Sequence, residues 1–116
     1  TVFRASGVVS ISDNSWNQTG QFSQVVDCSA VVKWNNNQGR NSQTIPRPAF
    51  FKDISADLVV NDNVLTDVPA AEVFRFDGCT GRIKLSDNMA PANLAGTTVS
   101  AVNGSVVTQN VDNLFI

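Results

Sequence analysis

The sequence predicts a mainly β protein, an antiparallel β-sandwich or small barrel of about seven to nine strands, on three observations. The apolar residues fall in short runs rich in Val, Ile and Phe. Clusters of Asn, Asp, Gly and Ser separate those runs. No long segment carries an unambiguous helical period. Short β-branched runs punctuated by turn residues are the pattern of strands joined by tight turns.

Val2 to Ser12 reads as a strand that ends at the turn signal Asp13-Asn14-Ser15. Gln21 to Trp34 is the longest candidate, with a bend or bulge expected within it. Thr44 to Phe51 holds Pro46 and Pro48, which remove ladder donors and predict an edge strand or an extended arm. Ile54 to Val60 is a further strand, followed by a turn at Asn61-Asp62-Asn63. A short turn fits Val68 to Glu72. Glu72 to Phe76 and Arg82 to Leu85 read as a pair around Gly78-Cys79-Thr80-Gly81. Thr97 to Gln109 contains Asn103-Gly104 between β-rich runs, a hairpin signal. Its valines at positions 99, 102 and 106 leave a short helix open as the alternative. No internal repeat is expected.

At 116 residues the chain fits one domain, residues 1–116, with apolar ends docked on neighbours. Charged residues make up only 16%, against a typical quarter, so the polar surface falls to neutral side chains, thirteen of them Asn. The formal net charge of −2 argues against a whole-surface nucleic-acid binder. Lys33, Arg40, Arg47 and Lys52 read as scattered solvated charges and leave only a local contact with nucleic acid open. No apolar run reaches the length of about 18 residues that spans a membrane. No charged-then-apolar leader is expected, and the first residue, Thr1, fits removal of an initiator Met or of a leader. Cys28 and Cys79 can pair in one disulfide or remain two buried free thiols.

The absent chemistry is informative. There is no His, which removes the Ser-His-Asp and Cys-His arrangements and most metal sites. The nine Asp fall mostly in turns, where they serve the backbone. No phosphate-cradling loop occurs, and Asn61-Asp62-Asn63 lacks the spacing of a calcium loop. The sequons at Asn17 and Asn103 weigh little in so Asn-rich a chain. The expectation is a non-enzymatic protein with no cofactor and no metal.

Three stretches remain. Lys33-Trp34-Asn35-Asn36-Asn37-Gln38-Gly39-Arg40-Asn41 reads first as a turn, and second as a head for sugar or nucleic acid. On that second reading Trp34 stacks, Asn35, Asn36 and Asn37 bond, and Arg40 meets a phosphate. Adjacent Phe50 and Phe51 point to opposite faces of a strand, so one fills the core and the other needs cover, from a loop or from a partner subunit. The apolar ends, Val2-Phe3 and Leu114-Phe115-Ile116, either close this domain or insert into a neighbour. These features together resemble small bacteriophage virion proteins of the coat, decoration or tail-tube type. The stretch from Ile83-Lys84-Leu85 to Val111-Asp112-Asn113-Leu114-Phe115-Ile116 is similar to the tail of RNA-phage coat proteins, without their helix signal. The resemblance implies a structural subunit of a self-assembling particle, a virion location, and partners that are copies of itself and other particle proteins. The alternative is a secreted, extracellular carbohydrate-binding sandwich module.

Overall fold

The turn signals bend the chain but do not reverse it. The computed structural model describes residues 1–17, 21–40, 47–66, 72–90 and 97–115. In it Asp13, Asn36, Asp62, Asp87 and Asp112 each take a left-handed backbone conformation, with φ between 54° and 60°. Asn and Asp accept this conformation more readily than other side chains. A tight hairpin of the Asn-Gly type needs two such residues in succession. One alone turns the strand into a neighbouring sheet. A second corner is made the same way by Arg4, Asp27, Asp53 and Gly78, with φ from 53° to 66°, and in the fifth rung by the pair Asn103-Gly104, at 53° and 88°.

The result is a coil of five rungs. The first holds β1 (Val2–Phe3), β2 (Val8–Ser12) and β3 (Ser15–Asn17). The second holds β4 (Ser23–Cys28), β5 (Val31–Asn35) and β6 (Gln38–Arg40). The third holds β7 (Ala49–Ile54), β8 (Leu58–Asn61) and β9 (Val64–Thr66). The fourth holds β10 (Glu72–Asp77), β11 (Ile83–Ser86) and β12 (Met89–Ala90). The fifth holds β13 (Thr97–Val102), β14 (Val107–Val111) and β15 (Leu114–Phe115). Equivalent strands stack in parallel into three sheets, ordered β1-β4-β7-β10-β13, β2-β5-β8-β11-β14 and β3-β6-β9-β12-β15. This is a β-solenoid of about four turns.

The antiparallel sandwich or barrel is therefore corrected. β10 and β11 do not pair with each other. β10 lies between β7 and β13, and β11 between β8 and β14. Asn103-Gly104 is a corner between β13 and β14, which belong to different sheets. Neither a hairpin nor a helix forms there, and the described residues contain no helix. Long runs split in two: Val2 to Ser12 becomes β1 and β2, and Gln21 to Trp34 becomes β4 and β5. β7 sits at the centre of its sheet, not at an edge, and Pro48 precedes it. Residues 44–46 of the expected arm, and residues 68–71 of the expected turn, lie outside the described residues. An internal repeat exists after all. Asn14, Asn37, Asn63, Asn88 and Asn113 recur at steps of 23, 26, 25 and 25 residues.

Inward positions stack into apolar columns about 4.8 Å apart from rung to rung. Val25, Phe51 and Phe76 form one column, Val32, Leu58 and Ile83 a second, and Trp34, Val60 and Leu85 a third, all buried. Gly39 leaves room for this packing, because a Cβ there would lie 2.4 Å from the Phe22 ring and 2.9 Å from Leu65 Cδ2.

Candidate assembly faces

The repeating asparagines form a ladder along the coil. The Oδ1 of Asn37 accepts from the backbone N–H and the Nδ2 of Asn14, at 3.1 and 3.0 Å. Asn63 Oδ1 accepts in the same way from Asn37, at 2.9 and 3.1 Å. Asn88 accepts from Asn63, and Asn113 from Asn88. Each Nδ2 also donates to a carbonyl one rung back: Asn37 to Ile11, Asn63 to Trp34, Asn88 to Val60 and Asn113 to Leu85. A primary amide has two donors and one oxygen with two lone pairs. Asn37, Asn63 and Asn88 are buried with all of these used. The ladder has a direction, because every bond from one rung's asparagine to the next is donated toward the fifth rung. At that end Asn113 Nδ2 meets the Oδ1 of Asn110 at 2.6 Å, which takes the place of a further rung's asparagine.

The outward columns change character along the coil. Phe3, Val26, Lys52, Asp77 and Val102 stack on the outer face of the first sheet. A second outward column runs through Val8, Val31, Asp57, Arg82 and Val106, from the register of the second sheet. Both are charged in the third and fourth rungs and apolar at the two ends. Asp57 and Arg82 pair at 2.8 Å, whereas Val8 and Val106 are 64% and 63% exposed. Phe3 is 57% exposed and Leu114 48%.

The predicted assembly residues divide accordingly. Val2 and Phe115 are half-buried on the first and fifth rungs, beside exposed Phe3 and Leu114. Ile116 lies outside the described residues. Phe51 is in the core, stacked on Phe76 at 5.4 Å. Phe50 points outward but is already covered: the Arg47 guanidinium sits 5.3 Å from its ring centre, and Gln24 and Arg75 flank it in register. It needs no partner subunit.

The reading head does not form. Trp34 is fully buried, stacked near Trp16 at 6.0 Å, and its Nε1 donates to Ser23 Oγ at 2.8 Å. Asn35 is half-buried in register with Asn61, Asn36 is the corner residue, and Asn37 belongs to the ladder. Arg40 is exposed on the outer face of the third sheet, beside a shallow depression lined by Asn17, Gln38, Val64 and Thr66. Cys28 and Cys79 are buried free thiols. Cys28 is in register with Ile54, and Cys79 belongs to the rung after Ile54. Two rungs put their backbones about 9.6 Å apart, beyond disulfide reach. Burial pushes the Cys79 thiol up from its ordinary value.

The first sheet's outer face also carries an ion network. Arg75 pairs with Glu72 and with Asp77, and Arg47 reaches Glu72 at 3.5 Å. Burial pushes the Glu72 carboxyl up, but bonds from Ser100 and Arg75 outweigh it and hold the group below its ordinary value. Asp77 is lowered first by the Asn103 amide, then, against burial, by Arg75. Asp57 is lowered chiefly by its bonds from Arg82. Each carboxylate has a cation or an amide, as structural charges do. Among the described residues no cluster of three or more acidic, His or Cys side chains could hold a metal. No family model, no curated protein and no solved structure matches this chain.

Sequence reasoning missed Asn63, Asn88 and Asn113. The signal was present, as Asp-Asn recurs at 62–63, 87–88 and 112–113.

Proposed function

We propose that the chain is a non-enzymatic structural subunit, a rigid β-solenoid that takes its place in a self-assembling particle through its end rungs. The observation that carries this reading is the distribution of outward apolar side chains. Phe3 and Val8 lie on the first rung, and Val102 and Val106 on or beside the strands of the fifth, while the third and fourth rungs present Lys52, Asp57, Asp77 and Arg82 at the matching places; in the third sheet exposed Leu114 instead continues a column of exposed Val64 and Met89. Solenoids kept apart in solution carry end repeats with a polar outer face. An apolar rung whose strand edges are unpaired among the described residues is a surface for association. A virion is the setting suggested by the resemblance of the sequence to phage structural proteins. The sugar-binding alternative has lost its main support, because Trp34 is inside the core.

Light scattering across a concentration series tests the proposal. The expected result is a mass that exceeds the monomer and grows or plateaus with concentration. A strict monomer throughout would remove the structural reading.

A further inference from the structure

We infer that two copies of this chain stack head to tail, the fifth rung of one seated on the first rung of the next in the register that the repeat sets within the chain. The inference rests on the structural reading above and names its partner and its polarity.

Three observations support it. The first is lateral matching. Extending the outward columns by one step brings Val102 against Phe3 and Val106 against Val8 of the next copy. Extending the inward ones brings Val107 against Val9 and Phe115 against Trp16. Half-exposed apolar groups meet half-exposed apolar groups at each of these places. The second is the ladder's direction. Asn113 ends it with a donor, and Asn14 begins it with an Oδ1 that accepts no bond from the described residues. Donor meets acceptor only when unlike ends face each other. The third is that parallel stacking continues the interface already made four times between successive rungs. Unlike faces leave one of each free after every contact, and stacking along the axis of the coil carries the copies away from each other, so the contact repeats and builds a filament.

Asn110 sets a limit on the affinity. It occupies the position of Ile11, Trp34, Val60 and Leu85 in their rungs and would face Ile11 of the next copy. In the free chain its Oδ1 holds the Asn113 amide.

The test uses two single cysteine variants, Ser15→Cys and Leu114→Cys. Positions 15 and 114 are in one outward column, through Gln38, Val64 and Met89, and become adjacent, about 5 Å apart, only between unlike ends. Both are exposed, and the native Cys28 and Cys79 are buried and protected. A short bismaleimide is expected to cross-link the mixture of the two variants to a dimer and neither variant alone. Cross-linking of Ser15→Cys alone would show like ends meeting and overturn the inference. An uncross-linked mixture from a protein that light scattering shows to assemble would also overturn it, while leaving the structural reading standing. A monomer by light scattering would remove both. As an independent check, Asn110→Leu is expected to tighten association roughly tenfold or more by replacing the polar mismatch with apolar contact. Weaker association in that variant would count against the register.

Discussion

Replacing Asn63 by Ala removes one step of the ladder at its centre. Four hydrogen bonds go with the side chain: two accepted from Asn37 and two donated, to the Trp34 carbonyl and to Asn88 Oδ1. Asn88 Oδ1 keeps the bond from the Asn63 backbone. The Asn37 backbone N–H and one hydrogen of its Nδ2 are left without acceptors in a site closed to water. Each such orphan costs about 1–3 kcal/mol, so the variant should lose about 4 kcal/mol. That is a large part of a total stability on the order of 10 kcal/mol. The control is Asn14→Ala. Asn14 is exposed, loses one bond to Asn37, and leaves that oxygen bonded by its own backbone. Its cost should stay within about 1 kcal/mol. Urea unfolding followed by tryptophan fluorescence separates the two, with midpoints displaced by about 2 M and by well under 1 M respectively. Equal costs would mean that the amides are interchangeable polar fillers and that the ladder does not hold the rungs in register.

Two further outcomes follow from the same structure. The thiols of Cys28 and Cys79 should resist Ellman's reagent in the native chain and titrate only on unfolding, and a reductant should leave the melting temperature unchanged; a reductant-sensitive melting temperature would mean that a bond joins them. Glu72 and Asp77 have folded-state pKa values below their ordinary ones, so their contribution is complete above about pH 4.5 and is lost as pH falls through the folded values. The melting temperature should be nearly level from neutral pH to about pH 5 and drop below about pH 4, and the double variant Glu72→Gln, Asp77→Asn should blunt the drop; an undiminished drop would place the acid-sensitive carboxylates elsewhere.

The strands were legible in the sequence because alternation and β-branching report local conformation. The pairing was not, because parallel and antiparallel strands share that local pattern. Asn103-Gly104 shows the ambiguity at one position. Its two positive φ angles serve a hairpin tip and a solenoid corner equally well, and only the fate of the next strand differs. Asn37 shows it at another. A local reading places it at a solvated turn, but its neighbour Asn36 makes the turn and Asn37 points along the coil. The repeat was obscured where it mattered most. The second rung has Asn36-Asn37 in place of Asp-Asn, inside a run of three asparagines, and the steps on either side of it are 23 and 26 residues. That one of Phe50 and Phe51 faces the core was legible from their adjacency, but not which, and the cover over Phe50 depended on Arg47 and Arg75, which no local pattern connects to it.

The stacking energy of a solenoid is nearly a sum of nearest-neighbour steps. A middle rung here gains from two neighbours, and an end rung from one. What a second copy offers the end rung is the same in kind as what the adjoining rung of its own chain offers: parallel backbone bonds, an apolar column and one asparagine step. The difference is the entropy of bringing two bodies together, which a continuous chain has already lost. Association is therefore favourable only where the end rung matches the interior closely. The first rung does so through Val9, Ile11, Asn14 and Trp16, each of which repeats the character of its column. The fifth rung does so through Val107, Asn113 and Phe115 and departs at Ala101 and Asn110. On the head-to-tail proposal those two positions, smaller or more polar than the Phe76 and Leu85 beneath them, are where the chain would hold the strength of its own stacking below that of its interior.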